Sequence, residues 1–310
     1  MNIVISEFMD EAAVEQLAAE FSVCYERDLA DDRNRLCAAV DAADALIVRN
    51  RTQVNVALLE HATTLRVVGR LGVGLDNIDV DACKARGIEV IAATGANALS
   101  VAEYVVCTAM MLLRGAYASS VEVAAGKWPR AQLSQGRETS GKVLGVIGFG
   151  AIGRLAAAMA RSLGMRVLAH DLALTADDAV WSQQKVEPLS LDQLLAEADV
   201  VSLHVPLSAS TRGLFDAKRI ASMKRGACLI NTARGGIVDE AALAAALKSG
   251  HLAGAALDVF EHEPLTAGSA LADCPNLLLT PHVAGVTRES SERVGALIAE
   301  RVAGALRRSK

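Results

Sequence analysis

The chain has 310 residues, of which 52% are hydrophobic and 22% charged, a composition typical of a folded globular protein. Its formal net charge of -5 excludes the broadly basic surface expected of a protein that binds nucleic acid. The six cysteines show no CxxC or metal-ligand spacing, so we expect free thiols in a reducing cytoplasm and no metal site. The most apolar helical stretch, 101–113, contains Glu103 and stops at Arg114, so we expect no membrane span.

The first third of the chain alternates apolar runs with helical stretches. The runs NIVIS, DALIVRNR, LRVVGRLGVG and GIEVIAATG predict buried strands, and EAAVEQLAAEF predicts a helix. This order predicts a parallel sheet with helices on both faces.

A long apolar helix is predicted to begin near Ser100. Ser100 stands in the N-cap position, and Glu103 follows three residues later, as in a capping box. We expect the helix to continue through AEYVVCTAMMLLRGAYASSVEVAAG, with apolar residues on most of its circumference. Such a helix is typically buried between domains or subunits, so it is a candidate contact for a homodimer. The segment KWPRAQLSQGRETSGK after it is predicted to be a polar loop.

A second series of apolar runs follows this loop. VLGVIGFG, VLAHD, VVSLHV, ACLINTA, GAALDV and LLLTPH predict short buried strands, and residues 288–308 predict a final helix. We therefore predict an α/β protein with two doubly wound parallel-sheet domains and a cleft between them. One domain should comprise residues 1–98 and 286–310, and the other, glycine-rich domain should comprise residues 99–285.

Residues 148–153, GFGAIG, form a GxGxxG motif between a predicted strand and a predicted helix. Gly148 permits a tight turn, Gly150 lets the backbone approach a pyrophosphate, and Gly153 allows close helix packing. Asp171 ends the next strand, 18 residues after Gly153, where a carboxylate can accept from both ribose hydroxyls and repel a 2′-phosphate. Because neither residue after Asp171 is Arg or Lys, the motif predicts a Rossmann domain that binds NAD rather than NADP.

Polar residues end four strands of the second series, at the edge where parallel sheets bind their ligands. An arginine fork there can bind a substrate carboxylate, and a protonated imidazole can donate to a developing alkoxide. A carboxylate on the second imidazole nitrogen orients the ring. Such a set beside a nicotinamide suits the reduction of a 2-keto acid.

The sequence resembles the D-2-hydroxyacid dehydrogenases, in particular the phosphoglycerate dehydrogenase-like branch, over nearly the whole chain. The motifs LGVGLDNIDV, NALSVAEY, GVIGFGAIG, LHVPLSAST, INTARGGIVDE, GAALDVFEHEP and TPHVAG occur in the order of that family. The resemblance implies that Arg234 binds the substrate carboxylate, Glu263 is the acid and His282 is the proton donor. The implied cofactor contacts are Gly148, Gly150, Ala151, Ile152, Gly153, Asp171, His204, Pro206, Thr232, Ala233, Arg234, Asp258, which would hold the nicotinamide carboxamide, His282 and Gly285.

The resemblance also implies a flavodoxin-like first domain that binds the substrate. Arg49 and Arg51 follow a predicted strand there, and they suit either a second anionic group on the substrate or an ordinary basic turn. The candidate substrates are 3-phosphoglycerate, 3-sulfolactate and the glyoxylate or hydroxypyruvate type, and the ISEFMDE start favours sulfolactate. The other implied substrate contacts are Gly72, Val73, Gly74, Asn97 and Arg234.

Two alternatives stay open from the sequence. Phosphite dehydrogenases keep the same Arg, Glu and His, whereas formate dehydrogenases carry an amide in place of Glu263. An NAD-sensing binding protein, like the co-repressors that share this fold, is the second alternative. Co-repressors usually carry disordered tails, which we do not expect here, and measurable turnover would separate the two classes.

Overall fold

The computed structural model describes residues 1–308, and the chain folds into two units. One unit comprises Met1–Asn97 together with the C-terminal segment that begins at Val286, and the other is Ala98–Gly285. Each unit contains one entirely parallel sheet flanked by helices, which confirms the predicted α/β class.

The first unit contains a five-stranded sheet with the strand order β2-β1-β3-β4-β5. Its strands are β1 (Asn2–Ile5), β2 (Ser22–Tyr25), β3 (Ala45–Val48), β4 (Val67–Arg70) and β5 (Glu89–Ala92). Its helices are α1 (Glu11–Ala18), α2 (Arg33–Val40), α3 (Val56–Leu59), α4 (Val80–Ala85) and, last in the chain, α13 (Arg288–Arg308).

Alternate residues of the central strands in this sheet pack into two separate cores. Ile3 and Ile47 face one core with α1 and α13, whereas Val4 and Leu46 face the other with α2, α3 and α4. Both faces are therefore apolar, which is why these strands occur as continuous apolar runs in the sequence. Gly69 lies under α13, and an added Cβ there would come within 2.8 Å of Val302.

The second unit contains a seven-stranded sheet with the order β12-β11-β10-β9-β6-β7-β8. Its strands are β6 (Val143–Ile147), β7 (Arg166–His170), β8 (Glu187–Pro188), β9 (Val200–Leu203), β10 (Cys228–Asn231), β11 (Gly254–Leu257) and β12 (Leu277–Leu279). Its helices are α5 (Ala98–Arg114), α6 (Ser120–Ala124), α7 (Arg130–Leu133), α8 (Ala151–Ser162), α9 (Ala179–Gln184), α10 (Leu191–Glu197), α11 (Ala217–Ser222) and α12 (Glu240–Lys248). Apolar cores cover both faces of this sheet as well.

Helix α5 corrects the prediction for the helix near Ser100. The helix begins at Ala98, so Ser100 lies inside it and is buried, and the predicted N-cap and capping box are wrong. It ends at Arg114 because Gly115 adopts a left-handed conformation with φ +65°. A 3-10 turn and α6 follow instead of a continuous helix, and α7 lies in the segment predicted as a loop.

Residues 1–308 contain no membrane-spanning helix, no metal-binding cluster and no disulfide. None of the helices in that range is both long and apolar enough to span a bilayer. No group of three His, Cys, Asp or Glu side chains in the range is arranged to hold a metal ion. The six cysteines are all free thiols.

Candidate active site

The predicted functional residues of the second unit follow six strands of one parallel sheet. Because all the strands are parallel, their carboxyl ends lie on the same edge, where α/β sheets bind ligands. Across the sheet from β12 to β7, the residues at this edge are His282, Asp258 and Glu263, Thr232 to Arg234, His204 to Pro206, Gly148 to Gly153, and Asp171.

The three glycines of the GxGxxG motif differ in what surrounds them. Gly148 has φ +92°, and an added Cβ would lie 2.5 Å from the carbonyl oxygen of His204. A Cβ on Gly153 would lie 2.3 Å from the carbonyl oxygen of Gly148. A Cβ on Gly150 would meet no atom within 4 Å. The fold itself therefore requires Gly148 and Gly153, whereas Gly150 leaves open space in which a pyrophosphate fits.

Helix α8 begins directly after this open space. Gly150 is its N-cap residue and offers no side chain, so the first-turn amides, including those of Ala151 and Ile152, can donate to an anion. The loop before the helix is held by Arg154, whose Nε donates to the carbonyl oxygen of Phe149 at 2.9 Å. The Phe149 ring stacks on Trp181 with 4.9 Å between centroids. These contacts hold the loop at the start of α8 in place.

Asp171 lies beside the same loop. Its carboxylate accepts hydrogen bonds from the amides of Phe149 at 2.6 Å and Ala173 at 2.8 Å. Thr232, at the end of β10, has a buried Oγ1 with no hydrogen-bond partner within residues 1–308. A fixed acid, an open helix terminus and an unsatisfied hydroxyl along one edge fit the ribose, pyrophosphate and polar groups of a dinucleotide.

His282 and Glu263 form a hydrogen-bonded pair. The Nδ1 atom of His282 lies 2.8 Å from Oε2 of Glu263, and the other carboxylate oxygen accepts from the amide of Phe260 at 3.1 Å. The pairing leaves Nε2 of His282 available to a ligand, and the two side chains remain 41% and 35% exposed. The geometry is that of an imidazole oriented by a carboxylate.

Asp258 binds the backbone that carries His282. Its carboxylate is buried and accepts from the amides of Val283 and Ala284, each at 2.8 Å, and from the hydroxyl of Thr280 at 2.6 Å. Its carbonyl oxygen accepts from the amide of His282 at 2.8 Å. These bonds hold three consecutive residues, and His282 itself has φ +56°.

The loop carrying Arg234 packs against the loop carrying Glu263. A Cβ on Gly235 would lie only 1.7 Å from the carbonyl oxygen of Phe260, so glycine is required for this approach. Asn231 closes the loop, because Nδ2 donates to the carbonyl of Arg234 at 2.9 Å and Oδ1 accepts from the amide of Ala233 at 3.0 Å. The structure thus places the arginine loop beside the acid of the His–Glu pair.

His204, at the end of β9, differs from His282. Its Nε2 lies 2.9 Å from the hydroxyl of Ser202, and burial lowers the pKa of His204 to about 4. The imidazole is therefore neutral at physiological pH. The neighbouring Pro206 carbonyl accepts from the hydroxyl of Thr211 at 2.6 Å.

In the first unit, sequence reasoning missed Glu7. Its buried carboxylate accepts from the amides of Arg49 at 2.8 Å, Asn50 at 3.2 Å, Arg51 at 3.0 Å and Thr52 at 3.0 Å. Burial raises its pKa, but these hydrogen bonds outweigh burial and hold the pKa of Glu7 below its ordinary value. Glu7 follows β1, and β1 pairs with β3, the strand that precedes the two arginines. An acidic residue at that position was the sequence feature that could have indicated this contact.

The two predicted substrate arginines have different surroundings. Arg51 donates to Asp31 at 2.5 Å and to the carbonyl of Arg27 at 3.0 Å. The guanidinium of Arg49 lies 5.7 Å from the centroid of the Phe8 ring and makes no hydrogen bond within residues 1–308. Burial lowers the pKa of Arg49, while Glu7 opposes that shift. Arg49 thus has donors available for a ligand, whereas those of Arg51 are engaged.

The remaining predicted substrate residues lie after β4 and before α5. Gly72 is buried and has φ +156°, a backbone conformation that residues with a side chain rarely adopt. Val73 is exposed and Gly74 is half-buried. Asn97 has a buried Oδ1 that finds no hydrogen-bond partner in the described part of the chain.

Comparison with known proteins identifies the family. Residues 106–284 match the family model described as "D-isomer specific 2-hydroxyacid dehydrogenase, NAD binding domain". The chain belongs to this family. It is also 56% identical over 306 residues to the (S)-sulfolactate dehydrogenase of Chromohalobacter salexigens, covering 98% of both chains. The predicted family, enzyme class and cofactor, NAD, are confirmed.

More distant relatives support the same assignment. The chain is 43% identical over 275 residues to a D-3-phosphoglycerate dehydrogenase of Mycobacterium tuberculosis, covering 89% of this chain and 51% of that one. It therefore spans about half the length of that relative. Among solved structures, the TT0316 protein of Thermus thermophilus has a TM-score of 0.90 at 33% identity, covering 99% of this chain and 97% of that one. A D-lactate dehydrogenase of Aquifex aeolicus complexed with NAD and lactic acid has a TM-score of 0.87 at 29% identity, covering 99% and 96%.

Proposed function

We propose that this enzyme transfers a hydride between NAD and a small D-2-hydroxy acid with a second anionic group, of the 3-sulfolactate type. The main support is the relative named (S)-sulfolactate dehydrogenase, because the two chains align over 98% of each. The 3-phosphoglycerate type is a weaker candidate, since those relatives match at lower identity and over half of their length.

The (S) label of that relative agrees with a family named for D isomers. In sulfolactate, sulfur gives the CH2SO3 group a higher priority than the carboxylate in the naming rules. The (S) descriptor therefore denotes the same spatial arrangement that is called D, or (R), in lactate. A site that presents one face of the alpha carbon to nicotinamide can accept both compounds without inversion.

We assign the second anionic group to Arg49. Its guanidinium is half-buried and has no hydrogen-bond partner within residues 1–308, whereas Arg51 is held by Asp31. A guanidinium can bind a sulfonate or phosphate through two parallel hydrogen bonds. Glu7 fixes the backbone from which Arg49 projects.

We assign the substrate carboxylate to Arg234, and we propose the amides of Gly72, Val73 and Gly74 and the side chain of Asn97 as further substrate contacts. A bidentate guanidinium–carboxylate contact fixes the alpha carbon in one orientation. Asn97 would donate to the carboxylate through its Nδ2 group, because carboxylate oxygens only accept hydrogen bonds.

We assign proton transfer to and from the substrate oxygen to His282. When bound beside the substrate, the nicotinamide would provide or accept the hydride at the alpha carbon. During reduction, Nε2 of His282 donates a proton to the carbonyl oxygen, and during oxidation it accepts the hydroxyl proton. Glu263 orients the ring through Nδ1 and stabilises the imidazolium. We propose that the remaining residues at the sheet edge hold NAD, namely Gly148, Gly150, Ala151, Ile152, Gly153, Asp171, His204, Pro206, Thr232, Ala233, Asp258 and Gly285.

The domain roles follow from this assignment. We propose residues 99–285 as the NAD-binding domain and residues 1–98 with 286–310 as the substrate-binding domain. The first contains every proposed cofactor residue, and the second contains Arg49.

A homodimer is proposed through α5 and the segment after it. Large apolar side chains are exposed along this part of the chain, with Val121 at 81% and Trp128 at 77% exposure. Met110 and Tyr117 are exposed as well. Apolar exposure on this scale is typical of a surface that another chain covers.

The six free thiols support a cytoplasmic location, which is reducing. Fractionation of the source cells tests this proposal. Recovery of the enzyme mainly in a periplasmic or secreted fraction would contradict it.

The substrate proposal is tested by NADH oxidation with sulfopyruvate, phosphohydroxypyruvate, hydroxypyruvate, glyoxylate and pyruvate. We expect the highest kcat/KM with sulfopyruvate. Arg49→Gln should lower that value about 100-fold, the loss of a charged hydrogen bond, and change the value for pyruvate little. Arg51→Gln is the matched control and should change neither value by more than about threefold. If Arg49→Gln lowered kcat/KM equally for sulfopyruvate and pyruvate, the assignment of Arg49 would be contradicted.

The proton assignment is tested with His282→Ala. We expect kcat to fall by about 10²–10⁴, the usual contribution of a general acid, with NADH binding retained. Undiminished turnover in this variant would refute the role of His282.

A further inference from the structure

A chain of hydrogen bonds connects α5 to the backbone that carries His282. The hydroxyl of Tyr104, on α5, lies 2.6 Å from Oγ1 of Thr280, which is 176 residues away in the sequence. The same Oγ1 lies 2.6 Å from Oδ1 of Asp258. Neither Tyr104 nor Thr280 has a role in the function proposed above.

The direction of each proton in this chain follows from the acceptor at its end. Asp258 accepts amide hydrogens on both carboxylate oxygens, from Val283 on Oδ1 and Ala284 on Oδ2. The hydroxyl of Thr280 approaches Oδ1 of the same carboxylate, whose oxygens act as acceptors. Thr280 therefore donates to Asp258, and its oxygen lone pair accepts the hydroxyl proton of Tyr104. Desolvation by burial raises the pKa of Tyr104, so the phenol keeps the proton that it donates.

Helix α5 also binds the chain at the other end of β12. Asn276 precedes the strand, and its Nδ2 donates to the carbonyl of Leu112 at 3.2 Å and to that of Ala253 at 2.8 Å. Tyr104 reaches the residue just after the strand. The helix thus holds a three-residue strand at both of its ends.

The residue held by this arrangement is in an uncommon conformation. His282 has φ +56°, a region that residues with a side chain adopt only when their surroundings enforce it. Its amide and the next two amides all donate to Asp258. The position of its imidazole against Glu263 therefore depends on a fixed Asp258.

We propose that Tyr104 and Thr280 are positioning residues for the proton donor. They fix the carboxylate of Asp258, and Asp258 holds residues 282–284 so that Nδ1 of His282 faces Glu263 and Nε2 faces the reacting oxygen. The inference rests on the role proposed for His282. Removing a hydroxyl from the chain misaligns the proton donor, which slows turnover without weakening the carboxylate contact at Arg234.

The test uses Tyr104→Phe, Thr280→Val, their double variant and Thr280→Ser, which retains a hydroxyl. Sulfopyruvate and NADH are the substrates, and kcat, KM and thermal unfolding are measured. We expect kcat to fall about fivefold in Tyr104→Phe and about 20-fold in Thr280→Val, with KM for sulfopyruvate within about twofold. Thr280→Ser should restore kcat to within about threefold of the wild type. Thr63→Val, at an exposed threonine of the first unit, is the matched control and should behave as the wild type.

The double variant separates a connected chain from two independent structural contacts. Tyr104 acts only through Thr280, so Tyr104→Phe should have no further effect on kcat once Thr280 is Val. If the two contacts were independent, their separate losses in kcat would multiply to about 100-fold in the double variant. Multiplicative losses, or an unchanged kcat in both folded single variants, would overturn the inference. Full activity of His282→Ala would refute the proposed proton donor instead, so the two failures are distinguishable.

Discussion

His204 and His282 both stand at the carboxyl end of a strand in the same sheet, yet their chemistry differs. His282 pairs with Glu263, which lies 19 residues earlier in the chain, and its ring remains partly exposed. His204 contacts Ser202, and burial lowers its pKa to about 4. The sequence marks both histidines by position, but it cannot show which one has a carboxylate partner, because that partner is brought in by the fold. Only the family resemblance distinguished them.

The lowered pKa of His204 predicts a pH dependence of stability. Its pKa in the folded protein, about 4, is lower than its ordinary value of 6.5. Between these pH values the unfolded chain binds a proton that the folded protein does not, so the free energy of unfolding decreases as the pH falls from 6.5 towards 4. The decrease is about 3 kcal/mol in total, and above about pH 6.5 the effect is absent.

Unfolding of the wild type and of His204→Gln at about pH 7 and about pH 4.5 measures this contribution. We expect the wild type to lose about 2 kcal/mol more than the variant between the two pH values. Equal losses in both proteins would show that His204 protonates as easily in the folded protein as in the unfolded chain.

At the scale of elements, the sequence predicted the buried strands and two of the four edge strands. β3 and β10 are buried along their whole length, so they appear as apolar runs. β2 and β8 are partly exposed edge strands without such a run, whereas the edge strands β5 and β12 lie in apolar runs and were predicted. The end of α5 was missed for another reason, since the left-handed Gly115 interrupts a sequence that otherwise favours helix.

At the start of α8, we expect substitutions of Gly150 and Gly153 in the GxGxxG motif to have different effects. Gly150→Ala places a methyl group in open space, so thermal stability should be retained while the Kd for NADH increases about tenfold or more, because the methyl occupies the pyrophosphate position. Gly153→Ala brings a Cβ within 2.3 Å of a backbone oxygen and should lower the melting temperature. NADH titration by fluorescence and thermal unfolding measure the two effects. Unchanged NADH affinity in Gly150→Ala would place the pyrophosphate elsewhere.

At the scale of the whole molecule, the order of strands and helices along the chain predicted two parallel-sheet units and the polar edge of the second sheet. They could not predict the contacts that join distant segments. Glu7 binds four amides at least 42 residues away, and Tyr104 contacts Thr280 across 176 residues. Such partners depend on strand order, which periodicity does not determine.

The proposed homodimer is also a property of the whole molecule. Sedimentation at micromolar concentration should give twice the 32.4 kDa mass of the chain. Trp128→Glu places a charge on the exposed apolar segment after α5 and should shift the protein towards monomer. Val56→Glu, at another exposed apolar residue, is the control and should remain dimeric. A wild-type monomer under these conditions would contradict the proposal.

The central claim is hydride transfer between NAD and the alpha carbon of an anionic D-2-hydroxy acid. We would incubate the enzyme with NAD and (S)-sulfolactate deuterated at C2, with the (R) isomer in a parallel reaction, and analyse the nucleotide by mass spectrometry. We expect singly deuterated NADH together with sulfopyruvate from the (S) isomer and no reduced nucleotide from the (R) isomer. Unlabelled NADH, reduction only by the (R) isomer, or no reduction while NAD binds would contradict it.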